Sequence, residues 1–83
     1  MDFQIGILRL GSQLREMRKS RGLTQAALAE RAAIPRLKIV QIEAGRPHVS
    51  VEAYARVAAA LGAEFQATPA KRPTIDEIGD LLK

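Results

Sequence analysis

The chain contains no cysteine, no tryptophan, a single histidine and no long apolar run. Without cysteine it forms neither a disulfide nor a thiolate metal site, whereas small secreted domains usually depend on disulfides. We therefore expect a cytoplasmic protein. No apolar stretch approaches the roughly 18 residues that a membrane span needs, and the start of the chain lacks the apolar core of a signal peptide.

Aromatic residues make up only 4% of the 83 residues, whereas alanine supplies 14 of them. A core rich in small aliphatic side chains is typical of closely packed helices rather than of a sheet sandwich. We therefore expect one small all-α domain. His48 lies between Pro47 and Val49 without another metal ligand nearby in sequence, and no serine has a base at hand. We expect no metal, no cofactor and no enzyme activity.

The net charge of +4 is concentrated in the first half of the chain. Residues 9–46 contain nine basic and three acidic side chains, a local charge of +6, whereas residues 47–83 contain four basic and five acidic ones. This asymmetry predicts a polyanionic partner, most often a nucleic acid. Charge alone leaves open the alternative of a solvated surface rich in arginine.

Apolar spacing and capping residues predict five helices. The first covers about residues 8–21 and ends at Gly22, while residues 3–7 fit either a strand or an extension of that helix. Thr24 caps a second helix that ends near Ala32. Pro35 precedes a third over about 36–43, and Ser50 caps a fourth over 51–61.

Residues 63–83 differ in character from the helical region before them. Five residues alternate between polar and small or apolar side chains and predict a short strand: Glu64, Phe65, Gln66, Ala67 and Thr68. Thr74 and Glu77 have capping-box spacing and predict a final helix with Ile78, Leu81 and Leu82 on one side. A lone strand leaves its hydrogen-bonding groups unpaired, so we expect it to pair with the same strand of a second chain.

The second and third helices have the length and separation of a helix-turn-helix. Leu28, Ile39 and Ile42 would converge between them, and Ala29 lies where a small side chain lets two helix axes approach. Any helical hairpin in a bundle would show similar spacing. The basic bias of this region favours the DNA-binding interpretation.

The sequence also resembles the Cro/repressor-type (Xre) helix-turn-helix family from about residue 10 to residue 61. The likeness is carried by three stretches: Gly22-Leu23-Thr24-Gln25, Leu28-Ala29, and Ile42-Glu43-Ala44-Gly45-Arg46. It implies an all-α, five-helix, lambda-repressor-like fold whose helix-turn-helix domain, over residues 8–62, binds double-stranded DNA. Residues 63–83 would then serve dimerisation or partner binding.

The resemblance implies that the third helix lies in the major groove. A helical wheel places Ile39 and Ile42 on the core side, so the opposite side is free to contact bases. The expected base contacts are Arg36, Leu37 and Gln41, with Lys38 on the flank. Arginine can pair with guanine and glutamine with adenine, and leucine can cover a thymine methyl group.

Other roles follow from matching family positions. Gln25 is expected to hydrogen-bond a DNA phosphate, and Arg46, with Arg9 or Arg21, is a candidate for further phosphate contacts. Arg18 and Glu43 match positions that form an internal ion pair, so we expect them to be structural.

Two positions depart from the family pattern. Ala33 replaces the usual glycine of the turn, which implies either a strained left-handed residue or a bent turn. Leu37 and Val40 are apolar where polar residues are commoner, which leaves open that this face packs against protein.

The expected function is a sequence-specific transcriptional repressor that binds a palindromic operator as a homodimer. The alternating segment and tail also resemble those of HipB-like antitoxins, so an antitoxin that holds a toxin protein and regulates its own operon is an alternative. A protein-interaction module that does not bind DNA is a third interpretation.

Overall fold

The computed structural model describes residues 2–69, which form four α-helices. They are α1 (Phe3–Ser20), α2 (Gln25–Ala32), α3 (Arg36–Glu43) and α4 (Val51–Ala60). Helix α2 packs against both α3 and α4, while α1 packs against α3. None of these helices is both long and apolar enough to cross a bilayer. The predicted fifth helix lies outside the described residues.

Capping side chains set the starts of the middle helices. The Thr24 hydroxyl accepts a hydrogen bond from the Ala27 N–H at 3.0 Å, and the Ser50 hydroxyl accepts one from the Ala53 N–H at 3.2 Å. Each cap satisfies a backbone donor that has no partner inside its helix. Pro35 precedes α3 with extended backbone geometry. Helices α2 and α3 have the bounds that the sequence predicts.

Helix α1 begins at Phe3, five residues earlier than the predicted start. The Asp2 carboxylate accepts a hydrogen bond from the Gln4 N–H at 2.9 Å and so provides an N-cap. This settles the ambiguity over residues 3–7 in favour of helix. Phe3 and Ile5 remain exposed, so the cap rather than burial of these apolar side chains accounts for the helical start.

The turn between α2 and α3 depends on Ala33, which has left-handed backbone angles of φ 56° and ψ 44°. This geometry lets the Ile34 N–H donate to the Ala29 carbonyl at 3.1 Å, which closes the end of α2. A non-glycine residue in this region costs about 1 kcal/mol. Of the two structures expected at Ala33, a strained left-handed residue or a bent turn, the structure has the left-handed residue.

The core lies where α2, α3 and α4 meet. Its five largest fully buried side chains are Leu28, Ile39, Ile42, Val57 and Leu61. The buried alanines between them lie on α2 and α4: Ala29, Ala32, Ala53 and Ala58. Small side chains let helix axes approach closely, which is how a chain with few aromatic residues fills its interior.

Residues 63–69 form neither helix nor strand, so the predicted strand over 64–68 is wrong for the single chain. A strand needs a hydrogen-bonded neighbour, and the residues described from 2 to 69 include no other strand. The segment runs over its own domain instead. The Phe65 ring lies edge-on to Tyr54 with the ring centres 6.2 Å apart.

Helix α1 approaches the end of α3 so closely that only glycine fits at the contact. A Cβ at Gly11 would overlap the Ile42 carbonyl oxygen and lie 3.2 Å from that of Glu43. Both atoms belong to the backbone, so neither can move aside without shifting α3. Gly11 therefore fixes the distance between the two helices.

A buried ion pair fixes the same two helices. Arg18 Nε lies 2.7 Å from Glu43 Oε2, and Arg18 Nη2 lies 3.1 Å from Oε1, which makes the pair bidentate. Arg18 Nη1 also donates to the Leu23 carbonyl at 2.8 Å. The side chains are only 11% and 5% exposed. The hydrogen bond to Glu43 raises the pKa of Arg18, so the guanidinium stays charged.

Gly11→Ala is expected to reduce the free energy of unfolding by about 1–3 kcal/mol, because the new methyl group overlaps immovable backbone. Gly6→Ala is the matched control, since it changes the same residue type in the same helix and, apart from the neighbouring residues and backbone of that helix, no atom lies within 4 Å of the added carbon. That change should be neutral or stabilising by up to about 1 kcal/mol. Urea denaturation measures both, and equal effects would contradict the close contact.

Glu43→Gln is expected to lower the free energy of unfolding by about 3 kcal/mol, because it leaves the buried Arg18 charge uncompensated. Glu52→Gln is the control: it breaks the exposed Glu52–Arg56 pair of α4, whose glutamate side chain is 75% exposed. An exposed helix pair contributes about 0.3–0.5 kcal/mol. Thermal or urea unfolding of the two variants measures both effects. A decrease in the free energy of unfolding below ~1 kcal/mol for Glu43→Gln would show that the ion pair does not fix α1 against α3.

Candidate nucleic-acid interface

One side of α3 faces solvent while the other forms part of the core. Ile39 and Ile42 are fully buried, and the predicted base contacts lie elsewhere on the helix. Those residues are Arg36, Leu37 and Lys38, which are exposed, and Gln41, which is half-buried. Leu37 is 64% exposed. Because α3 is fixed by α1 and α2, this exposed side is held in one orientation.

An open groove of about 570 Å³ borders that exposed side, and we refer to it as the basic groove. It is framed by residues from α1, the start of α2 and α3: Arg15, Thr24, Gln25, Arg36, Val40 and Ala44. The Arg18–Glu43 ion pair lies at the same place and joins the walls. The groove therefore exists only while the three helices keep their positions.

Gln25 connects the start of α2 to the ion pair. Its Nε2 donates a hydrogen bond to Glu43 Oε1 at 3.2 Å. One N–H of the amide remains for another acceptor, since a glutamine amide has two. The first N–H groups of α2 also have no partner inside the helix and favour an anion. Gln25 is thus held in place beside the backbone N–H groups at the start of α2, which can donate to an anion.

The basic groove has uncompensated positive charge. Among residues 2–69 the ion pairs are the buried Arg18–Glu43 pair and the exposed Glu52–Arg56 pair on α4. Arg15 and Arg36 take part in neither. The charge of Glu43 is already balanced by Arg18, so the two remaining arginines give the groove a local excess of positive charge that suits a phosphate group.

The other predicted phosphate contacts are not part of this groove. Arg21 folds back at the end of α1, where its Nη1 donates to the Met17 carbonyl at 3.1 Å. Arg9 precedes Gly11 by two residues and so lies on the opposite side of α1 from α3. Arg46, exposed beyond the end of α3, lines a different and mainly apolar groove.

Sequence reasoning missed Arg15 as a member of the site. Arg15 precedes Arg18 by three residues, which is close to one helical turn, so both lie on the side of α1 that faces α3. That spacing was available in the sequence. The position of Val40 and Ala44 in the wall of the groove required the three-dimensional arrangement of α1 against α3.

The chain is similar to known helix-turn-helix proteins. A family model described as "Helix-turn-helix domain" matches residues 9–82. An uncharacterized HTH-type transcriptional regulator from Methanothermobacter thermautotrophicus is 47% identical over 51 residues, which covers 61% of this chain and 74% of that protein.

Two solved structures have a similar fold. The restriction-modification controller protein C.AhdI from Aeromonas hydrophila is 32% identical with a TM-score of 0.67, over 72% of this chain and 91% of that one. The clp gene regulator ClgR from Corynebacterium glutamicum is 38% identical with a TM-score of 0.62, over 69% of this chain and 61% of its own. Together with the family match and the geometry of α2 and α3, these likenesses show that the chain belongs to the Cro/repressor-type (Xre) helix-turn-helix family.

Proposed function

We propose that the chain is a sequence-specific DNA-binding transcriptional repressor that acts in the cytoplasm. The observation that carries the proposal is the exposed side of α3 beside a basic groove with two uncompensated arginines. Regulators among the similar proteins, such as ClgR and the Methanothermobacter regulator, support transcription as the process. Repression is the simplest outcome, because a small domain bound at an operator blocks access to it.

The proposed reading of bases uses the exposed residues of α3 in the major groove. Arg36 would pair with guanine and Gln41 with adenine, each good pair providing about 1–3 kcal/mol of discrimination. Leu37 would cover a thymine methyl group, which accounts for an apolar side chain that is 64% exposed. Lys38 lies on the flank of this side and would add a nearby charge contact.

The proposed phosphate contacts fix the register of the protein on the duplex. The basic groove would receive a backbone phosphate, with Arg15 on one wall and Gln25 at the start of α2. Gln25 is already oriented by its hydrogen bond to Glu43, so little side-chain freedom is lost when DNA binds. Arg46 and Arg21, which are exposed, remain candidates for phosphates further along the backbone.

We further propose that the protein binds as a homodimer through residues 63–83, with the 64–68 segments of two chains paired. Residues 64–68 form no strand in one chain, and a second chain would supply the hydrogen-bonded neighbour that a strand needs. A two-fold dimer then predicts a palindromic operator whose half-sites are about 10 base pairs apart.

Selection of binding sites from a randomised duplex library tests this proposal directly. Wild-type protein should enrich two inverted copies of one short sequence, with their centres about one helical turn apart. Enrichment of a single unpaired sequence would contradict the dimer. Absence of any enrichment, together with weak binding at low salt, would contradict sequence-specific recognition and favour a protein-interaction role.

The same library separates the proposed roles of individual residues. Gln41→Ala should relax preference at one base pair, whereas Arg15→Ala and Arg46→Ala should weaken binding to all sequences and each reduce the salt slope by about 1. Arg56→Ala is the control, because Arg56 pairs with Glu52 on α4 and lines no part of the basic groove. If Gln41→Ala and Arg15→Ala behaved alike across the library, the roles would be wrongly assigned.

A further inference from the structure

The exposed side of α3 is apolar along its centre. Successive residues of an α-helix are about 100° apart around the axis, so Leu37 and Ala44 lie opposite the buried Ile39 and Ile42, and Val40 lies beside them. Leu37 is 64% exposed, Val40 is 38% exposed, and Ala44 is exposed at the end of the helix. We refer to Leu37, Val40 and Ala44 as the apolar ridge.

Polar side chains flank the apolar ridge on both edges. Arg36 lies along one edge, and Gln41 and Lys38 lie along the other. Arginine and lysine can only donate hydrogen bonds, whereas the glutamine amide donates and accepts. Within residues 36–43 the one carboxylate belongs to Glu43, and the buried ion pair holds it at 5% exposure. The edges of the ridge are therefore rich in hydrogen-bond donors.

The ridge calls for a partner that combines an apolar group with hydrogen-bond acceptors. Apolar residues scattered singly over a surface need no explanation, but these are contiguous, and two of them, Val40 and Ala44, also line the basic groove. In the major groove of DNA, thymine presents a C5-methyl group beside its O4 acceptor. A methylated cytosine would present the same methyl group beside an N4 donor, which donors on the protein cannot satisfy. The chemistry of α3 therefore favours thymine.

The spacing of the two larger ridge side chains fits two bases rather than one. Leu37 and Val40 are three residues apart on α3, which places their Cβ atoms about 5–6 Å from each other. Consecutive base pairs are about 3.4 Å apart along the duplex axis, and their edges are further apart because the duplex turns. Each side chain can therefore contact a different base pair, and the two base pairs are neighbours.

We propose that Val40 is a specificity-determining residue, and that Leu37 and Val40 each cover the C5-methyl group of a thymine at two neighbouring base pairs of the half-site. The inference rests on the proposed DNA-binding function and adds Val40 and a second thymine to it. A valine selects its base without a hydrogen bond, because another base would place an unpaired polar group against it. Methyl recognition also accounts for both apolar departures from the family pattern.

Deoxyuridine in the DNA tests the methyl contacts, because uracil keeps the hydrogen-bonding groups of thymine and lacks only its methyl group. The probe is the duplex recovered from the randomised library, with the thymines of one half-site replaced one at a time. Fluorescence anisotropy at one fixed salt concentration gives the affinities. Wild-type protein should lose about fourfold in affinity at each of two neighbouring positions, and less at other thymines. A loss at one position only, or equal changes at all thymines, would overturn the proposal.

Protein variants assign each methyl group to a side chain. Leu37→Ala should abolish the effect of deoxyuridine at one of the two positions and Val40→Ala at the other, since such a cycle isolates a direct contact. Val51→Ala is the matched control, because it truncates a valine on α4 that is 80% exposed, and it should leave both positions sensitive. The ratio of affinities for the two duplexes cancels any overall loss of binding. A Val40→Ala variant that stayed sensitive at both positions would overturn the role of Val40.

A third duplex distinguishes thymine from methylated cytosine. Replacing the T·A pair at either position by a 5-methylcytosine·guanine pair keeps the methyl group and exchanges the O4 acceptor for an N4 donor. Wild-type protein should bind this duplex at least ~5-fold more weakly than the original. Equal or tighter binding would show that the ridge recognises methylated cytosine, and would overturn the assignment to thymine.

Failure of this inference is distinguishable from failure of the proposed function. Sequence-specific binding in the library, with no response to deoxyuridine, would overturn the methyl contacts and leave DNA recognition by α3 intact. Absence of sequence-specific binding would overturn the proposed function and, with it, the methyl contacts.

Discussion

The bidentate Arg18–Glu43 ion pair is the interaction on which the geometry of the site depends. Helix α3 has only eight residues, which is too short to be stable on its own, and its packing into the core rests on two fully buried isoleucines. Such a helix needs further contacts to fix its orientation. The ion pair joins Glu43 to α1, Gln25 joins the same carboxylate to α2, and Gly11 sets the distance from α1.

This arrangement explains why a strongly basic region contains a buried glutamate. Removing two charges from water is costly, and a buried pair contributes little net stability compared with apolar residues of similar volume. Its role is better understood as setting orientation. With Glu43 neutralised inside the protein, Arg15 and Arg36 remain to attract an anion, and the exposed side of α3 stays aligned with the basic groove.

The sequence predicts the parts of the fold that local chemistry determines. Thr24, Pro35 and Ser50 mark the starts of three helices, because capping and proline geometry act within a few residues. The sequence does not decide the start of α1, because the spacing of the apolar residues over 3–7 fits both a strand and a helix. Burial does not decide it either, since Phe3 and Ile5 stay exposed. The prediction of a strand over 64–68 rests on the alternation of polar and apolar side chains alone. That pattern does not reveal that the Phe65 ring lies beside Tyr54 of its own chain. The spacing of Arg15 and Arg18 could have placed Arg15 in the site, whereas Val40 and Ala44 join its wall only through the packing of α1 on α3.

The most direct test of DNA recognition by α3 is chemical-shift mapping by NMR with a duplex recovered from the randomised library. We expect the largest amide shifts on adding DNA to fall on α3, at Arg36, Leu37 and Gln41, and at Gln25 at the start of α2. Amides of α4 around Arg56 should change little. Largest shifts on α4, with α3 unaffected, would contradict recognition through α3.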